Sequence, residues 1–353
     1  MVNPKRRAVT VAVAGTAAGA VGLALLALPA GAGEAPELPP VSAQDLVGSV
    51  LRTDAPALSG TVELDNRLGL PAVPGMPALE ADSARVFYDG SGRGRLAIQR
   101  DTSEYTVVHG KDVLWTYDSA ENTVTRTPLT HDRAAPPVDG ELTDPATLAN
   151  RLLDEVRQSS TVAVDGTATV ADRAAYELVL TPKPEERTLL REVRIAVDSE
   201  TRLPLRVSAF TNGTSEPALR LGFTDISFGA QPAQLFSFTP PPGAEVERER
   251  QNGPRGPRQH GQVAPEVVGS GWDTVLLTRM PADVDTGRDT GHDAQAGGDL
   301  RGMLEQVGQR VRGPYGSGYL IETTVATALI TDDGRVAVGA VPEQVLTQAL
   351  GRR

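Results

Sequence analysis

Apolar and polar residues alternate over most of this chain. Between Arg191 and Gly243, apolar side chains fall at Val193, Ile195 and Val197, then at Leu203, Leu205, Val207 and Ala209. Leu219, Leu221 and Phe223 follow, then Ile226 and Phe228. Period two marks a strand with one buried and one wet face. Upstream, Val62, Leu64, Leu68 and Leu70 share one parity. Short strand-like runs occupy 84–88, 95–100, 104–109, 112–117 and 123–127, separated by turn residues such as Asp89-Gly90, Gly92, Gly94 and His109-Gly110. Val162/Val164 and Tyr176/Leu178/Leu180 add two more, with Gly166 read as the turn region between them. Alternation and turn chemistry together predict about ten to eleven antiparallel strands before Pro240. Phe236 and Phe238 share a parity and would seal an edge before the proline run 240–242 stops further pairing.

Two stretches carry helical spacing instead. Ser42-Ala43-Gln44-Asp45 reads as a capping box opening a helix with Leu46, Val47, Val50 and Leu51 on one stripe. Thr143-Asp144-Pro145 opens a second, with Leu148, Leu152 and Val156 four apart. Both stripes need something apolar to cover, and the sheet supplies it. Residues 244–266 hold Arg248, Arg250, Arg255 and Arg258 among Gly and Pro and read as a linker. A smaller unit follows. It has a strand at 272–278, an Asp/Gly-rich stretch at 281–299, and a helix through Leu304, Val307 and Val311. Strands at 319–330 and 335–341 flank the hairpin signal Thr331-Asp332-Asp333-Gly334, and Pro342 opens a last helix with Val345, Leu346 and Leu350.

Composition narrows the function. The N-terminus combines Lys5, Arg6 and Arg7 with an apolar run from Ala8 to Leu28 and the small-residue triplet Ala30-Gly31-Ala32. Residues 1–32 thus read as a secretory signal, either cleaved or retained as a membrane anchor, and place the remainder outside the cytoplasm. A net charge of −11 argues against a general nucleic-acid binder, which needs a basic face. The chain has no cysteine, so disulfides, thiolate metal sites, a Cys nucleophile and a lipidated Cys are excluded. His109, His131, His260 and His292 stand apart in sequence and form no metal pattern. There is no Gly-x-Ser-x-Gly elbow and no phosphate loop before a helix. No cofactor is predicted, and the expected protein is not an enzyme.

An export signal, an amphipathic N-terminal helix, a long antiparallel meander with a helix inserted midway, and the closing Leu235-Phe236-Ser237-Phe238-Thr239-Pro240 together carry a resemblance. From Val41 to about Val246 the chain resembles the LolA-like lipoprotein carrier superfamily, which includes the RseB-type envelope regulators. The resemblance implies an α+β, mainly β fold: a curved antiparallel half-barrel capped by helices, plus a small C-terminal α+β domain. The expected parts are a signal peptide at 1–32, the half-barrel at 41–246, a linker at 247–264 and the C-terminal domain at 265–353. It also implies an apolar cavity for lipid or lipoprotein acyl chains between sheet and cap. By parity, Leu64, Leu68, Val86, Tyr88, Leu96, Ile98, Val107, Trp115, Leu178, Ile195, Val207 and Phe223 would line it. Leu46, Val50, Leu148 and Leu152 would form the lid. A core filled by the protein's own helices is the competing expectation. The family's lid-locking Arg has no clear counterpart, since Arg67 and Arg85 are both ordinary strand-face positions. The two-part layout leans toward RseB-type proteins, which would make the C-terminal domain a docking site for a membrane or envelope protein.

Overall fold

The computed structural model describes residues 35–69, 83–99, 103–129, 154–248, 266–280, 302 and 304–351. Both sheets belong to one compact unit, Leu38–Arg353. The signal stretch, the Pro71–Pro77 loop and the lid residues Leu148 and Leu152 lie outside the described residues.

The first half of the large sheet is a run of hairpins: β1 (Leu58–Asn66), β2 (Ser83–Tyr88), β3 (Gly94–Gln99), β4 (Glu104–His109), β5 (Val113–Asp118) and β6 (Thr123–Pro128). The second half is another: β7 (Ser160–Val170), β8 (Arg173–Pro182), β9 (Leu190–Asp198), β10 (Pro204–Thr211) and β11 (Leu219–Phe228). One long-range ladder, β1 against β11, joins the two meanders into one sheet. With β12 (Glu245–Arg248), the order is β12-β6-β5-β4-β3-β2-β1-β11-β10-β9-β8-β7, and the outer strands β7 and β12 do not pair, so the sheet stays open. The expected mainly β, α+β architecture is what the chain adopts.

Helix α1 (Ala43–Arg52) lies over this sheet and is capped by Ser42. The Ser42 hydroxyl oxygen accepts from the Asp45 N–H at 3.1 Å and the hydroxyl donates to the Asp45 carboxylate at 2.6 Å. Leu46 is fully buried with Tyr176, Leu178 and Val197, and Val47, Val50, Val162, Val164, Leu180 and Ile195 close around them. The helix therefore covers the β7–β9 end of the sheet. The Tyr176 hydroxyl donates to the Pro39 carbonyl at 2.9 Å and ties down the segment before the helix.

Several local expectations change. Gly166 is not a hairpin turn; it sits at φ 90° inside β7, at an irregularity between Val164 and Thr167. The turn is Ala171-Asp172, both with φ > 0, a two-residue connection that gives no Gly or Asn signal. Glu245–Arg248 is not linker but an edge strand parallel to β6. Leu235 and Phe236 belong to a 3-10 turn, Ala233–Phe236, rather than a strand.

The second sheet consists of β13 (Glu266–Val268), β14 (Val275–Arg279), β15 (Gln309–Gly313), β16 (Gly316–Glu322), β17 (Thr327–Thr331) and β18 (Arg335–Gly339), in the order β13-β14-β18-β17-β16-β15. The last helix, α2 (Glu343–Gly351), buries Val345, Leu346, Ala349 and Leu350 against Val275, Leu320, Leu329 and Ala337. Trp272 lies in a 3-10 turn ahead of β14, the run 319–330 divides into two strands, and Val311 is on β15, past the described helical residues 302 and 304–307. The Thr331–Gly334 turn closes the β17–β18 hairpin, as its sequence requires, with the Arg335 N–H donating to the Thr331 hydroxyl oxygen at 3.0 Å.

The sheets meet through polar contacts. The Trp272 indole N–H donates to the Ser160 hydroxyl at 2.7 Å, and its backbone N–H donates to the Glu186 carboxylate at 2.8 Å. The Leu189 N–H reaches the Ala340 carbonyl and the Thr324 N–H the Leu68 carbonyl, both at 2.9 Å.

Candidate ligand-binding cavity

Residues directly opposite one another in a ladder share a sheet face. The registers therefore trace one continuous apolar row: Val164, Leu178, Ile195, Val207, Leu221 and Leu64, on β7, β8, β9, β10, β11 and β1. A second row on the same face runs Ile226, Gly60, Val86, Leu96, Val107 and Thr116. Helix α1 covers the first row only at its β7–β9 end. Beyond it, Val207 is 40% exposed and Leu221 48%.

Val86, Leu96 and Val107 of the second row form one wall of a cavity of about 430 Å³. Its lining is Ala55, Leu58, Val86, Phe87, Tyr88, Gly94, Arg95, Leu96, Val107, His109, Leu203 and Phe223. Phe223 spans both meanders. Its ring lies over Gly60, where an added β-carbon would stand 2.9 Å from the ring and 2.5 Å from the Asp225 carbonyl oxygen. Glycine at that position lets the aromatic side chain lie flat on the strand. The β2–β3 hairpin at the cavity mouth is locked by Asp89, whose carboxylate accepts from the Ser91 and Arg93 N–H groups at 2.8 and 2.9 Å. It also accepts from the Ser91 hydroxyl and the Arg93 guanidinium, both at 2.6 Å. Burial alone would raise the Asp89 pKa; these donors outweigh it and hold the carboxyl well below its ordinary range.

The residues expected at the site are distributed as follows. Val86, Tyr88, Leu96, Val107 and Phe223 meet in the cavity. Leu64, Ile98 and Val207 share its face but stand outside it, and Leu178 and Ile195 lie under α1 with the lid residues Leu46 and Val50. Leu68 follows the end of β1, where its carbonyl meets the second sheet. Trp115 is corrected to the opposite face. It is registered with Val108 and Arg126, stacks on Phe238 at 5.6 Å, and has the Arg126 guanidinium 5.7 Å over its ring. Both parities of Val113–Tyr117 are apolar enough to face inward, so alternation alone did not choose between them. Phe238 packs on that outer face too, against Trp115 and Tyr117, while Phe236 lies under the Arg93 guanidinium. Ala55, Leu58, Gly94, Leu203 and His109 also line the cavity without having been expected there; Leu58 carries the parity of Val62 and Leu64, a signal interrupted by Gly60.

Among the described residues no group of His, Asp and Glu could hold a metal ion, and no helix is long and apolar enough to cross a membrane. The geometry thus presents an apolar concavity with few polar atoms, which suits a hydrophobic ligand.

No family model matches the chain, and no curated protein matches it. Solved structures are similar to it at low identity. A chain of the Pseudomonas aeruginosa MucA/MucB complex is 16% identical, with 87% of this chain and 96% of that one covered, at a TM-score of 0.44. An uncharacterized conserved protein from Thermus thermophilus is 15% identical over 59% of this chain and 99% of its own, at 0.36. A LolA superfamily protein from Nitrosomonas europaea is 13% identical over 56% and 99%, at 0.23. The architecture of the chain is an open antiparallel sheet, a helix on its apolar face, and a second, smaller sheet with its own helix.

Proposed function

We propose that this chain is an exported, non-enzymatic protein that binds acyl chains between the open sheet and its helical lid. The cavity lined by Leu58, Val86, Leu96, Val107, Leu203 and Phe223 supports this reading. Val207 and Leu221, exposed on the same face, extend the apolar surface from the cavity toward α1. Each buried methylene contributes about 0.8 kcal/mol, so a long chain is held without polar chemistry. Binding and release are then an equilibrium, with α1 as one part of the lid and the second stripe, Leu148 and Leu152, as the other. Residues 1–32 direct export, and 265–353 act as a separate domain. Protein purified without detergent is the test: native mass spectrometry should show a co-purifying lipid, or titration should show uptake of a fluorescent fatty acid. Failure of both sinks the reading.

A second reading, an envelope regulator of RseB type, has one observation of its own. On the smaller sheet, Val267, Leu276 and Val338 are in register across three neighbouring strands and are 62%, 43% and 38% exposed. That face would dock a membrane or envelope protein. Crosslinking from the full-length protein in membranes should lose a partner in Leu276→Asp/Val338→Asp while lipid uptake persists; unchanged crosslinks refute it.

A further inference from the structure

Gly94 is a glycine that its backbone does not demand. It is absent from the positive-φ positions, and a β-carbon built there would come no nearer than 3.6 Å to any atom, the Phe87 carbonyl oxygen. Glycine in a strand is destabilising and often marks the close approach of a ligand. The register puts Gly94 between Tyr88 on β2 and His109 on β4, and all three line the cavity. Two strand spacings separate Tyr88 from His109, about 9–10 Å, with no side chain between. The result is a notch at one end of an apolar cavity, with a polar group on each side.

The two polar groups have defined capacities. His109 Nδ1 lies 2.8 Å from the Gly92 carbonyl oxygen. A carbonyl only accepts, so Nδ1 carries a proton, and Nε2 is the ring's remaining polar atom. Nε2 accepts when the ring is neutral and donates when it is protonated. The Tyr88 hydroxyl can donate in either case, and among the described residues it has no hydrogen-bond partner. Arg95 also lines the cavity, but its register with Phe87 and Val108 roots it on the other face.

We propose that the notch over Gly94 receives the carboxyl group of a free, single-chain fatty acid, whose hydrocarbon lies along Val86, Leu96 and Val107. A carboxyl fits the pair in both protonation states. As the acid it donates to neutral Nε2 and accepts from Tyr88; as the carboxylate it accepts from both. Either way the ligand and the imidazole share one proton. An ester has no proton to share and carries an extra alkyl group into the notch. This inference rests on the acyl-binding reading and specifies its ligand.

The test is calorimetric titration of the full chain with palmitic acid, methyl palmitate and 1-hexadecanol, delivered from cyclodextrin. Wild type should bind the acid about ten-fold or more tighter than the ester, the scale of a hydrogen bond to a charged group. Tyr88→Phe and His109→Phe should each lose most of that preference, read as the acid-to-ester affinity ratio within each variant. Gly94→Val fills the notch with a residue that favours strands, so it should weaken acid binding by about ten-fold without lowering the melting temperature. Equal affinity of wild type for acid and ester overturns the notch and leaves acyl binding standing. Wild-type acid affinity in Gly94→Val overturns it too. No binding of any of the three ligands refutes the acyl reading itself, and the notch with it.

Discussion

Phe223→Ala is the sharpest perturbation of the cavity. The ring lies across Gly60, lines the cavity, and packs beside Leu203 against the buried cluster of Val170, Ala175, Ala196 and Leu205. Removing a fully buried Phe costs about 3–5 kcal/mol. Phe223 is half-buried, so about 2 kcal/mol is expected, or a melting-point drop of about 4–8 °C. The vacated space joins a cavity of about 430 Å³ and accepts more methylenes. Each contributes about 0.8 kcal/mol, roughly four-fold in affinity. In wild type, affinity for saturated fatty acids should climb by that factor per methylene until the cavity is full and then level off. In Phe223→Ala the levelling should come at a longer chain, by about two to four methylenes, and the longer ligands should restore much of the lost thermal stability. Calorimetric titration over chain lengths from C10 to C22, paired with thermal melts, reads both effects. A plateau at the same chain length in both proteins would refute the claim that Phe223 bounds the acyl space.

Asp198 should set an acid limit on stability. Its buried carboxylate accepts from Arg173 and from the N–H groups of Glu200 and Thr201 at 3.0 and 2.6 Å. Burial alone would raise its pKa; the Arg173 guanidinium and these donors outweigh that and lower it. A depressed folded pKa gives stability that is complete above the unfolded value of about 3.9 and is lost as pH falls toward the folded one. Asp198→Asn should therefore cost about 3 kcal/mol at pH 7 in urea melts, with the gap to wild type narrowing below about pH 4. A gap independent of pH contradicts the pairing. The Ala171-Asp172 turn holds both residues at φ > 0, so Ala171→Asn/Asp172→Gly should raise stability by about 0.5–1 kcal/mol; a lower melting point would count against the turn geometry. The two tryptophans, Trp115 and Trp272, both stand away from the cavity lining. A brominated fatty acid should leave wild-type fluorescence unchanged and quench it in Val107→Trp; strong quenching in wild type would put Trp115 back at the site.

Much of the sheet was legible because its strands alternate and its turns are chemical. Asp89-Gly90, Ser119–Asn122 and Thr331–Gly334 each punctuate a hairpin, and Ser42 with Asp45 announced α1. What failed did so for physical reasons. Ala171-Asp172 closes its hairpin without Gly or Asn, so the pattern points instead to Gly166, an irregularity inside β7. Trp115 and Tyr117 belong to a strand with apolar residues of both parities, because Phe238 covers its outer face. Parity tells which residues travel together and is silent on which side faces in.

The cavity itself needs a contact that no local pattern contains. Its walls come from β1–β4 on one side and from Leu203 and Phe223 on the other, more than ninety residues away. Only the β1–β11 ladder brings them together, and its register shifts between Thr61 and Val62. That shift leaves both Ile226 and Phe223 on the face of Gly60 and Val62, three residues apart on a strand where regular alternation would put them on opposite faces. Phe223 is thereby turned over Gly60 and into the cavity. The irregularity and the glycine work as a pair. Without the first, the ring would point to the outer face; without the second, it would meet a β-carbon. Gly60→Ala should then act as a cavity mutation in a residue that touches no ligand. It should cost about 1–3 kcal/mol as an overpacked site and shift the chain-length plateau, because the displaced ring moves with β11. A Gly60→Ala protein that loses stability yet keeps the wild-type plateau would separate the fold of this junction from the shape of the cavity.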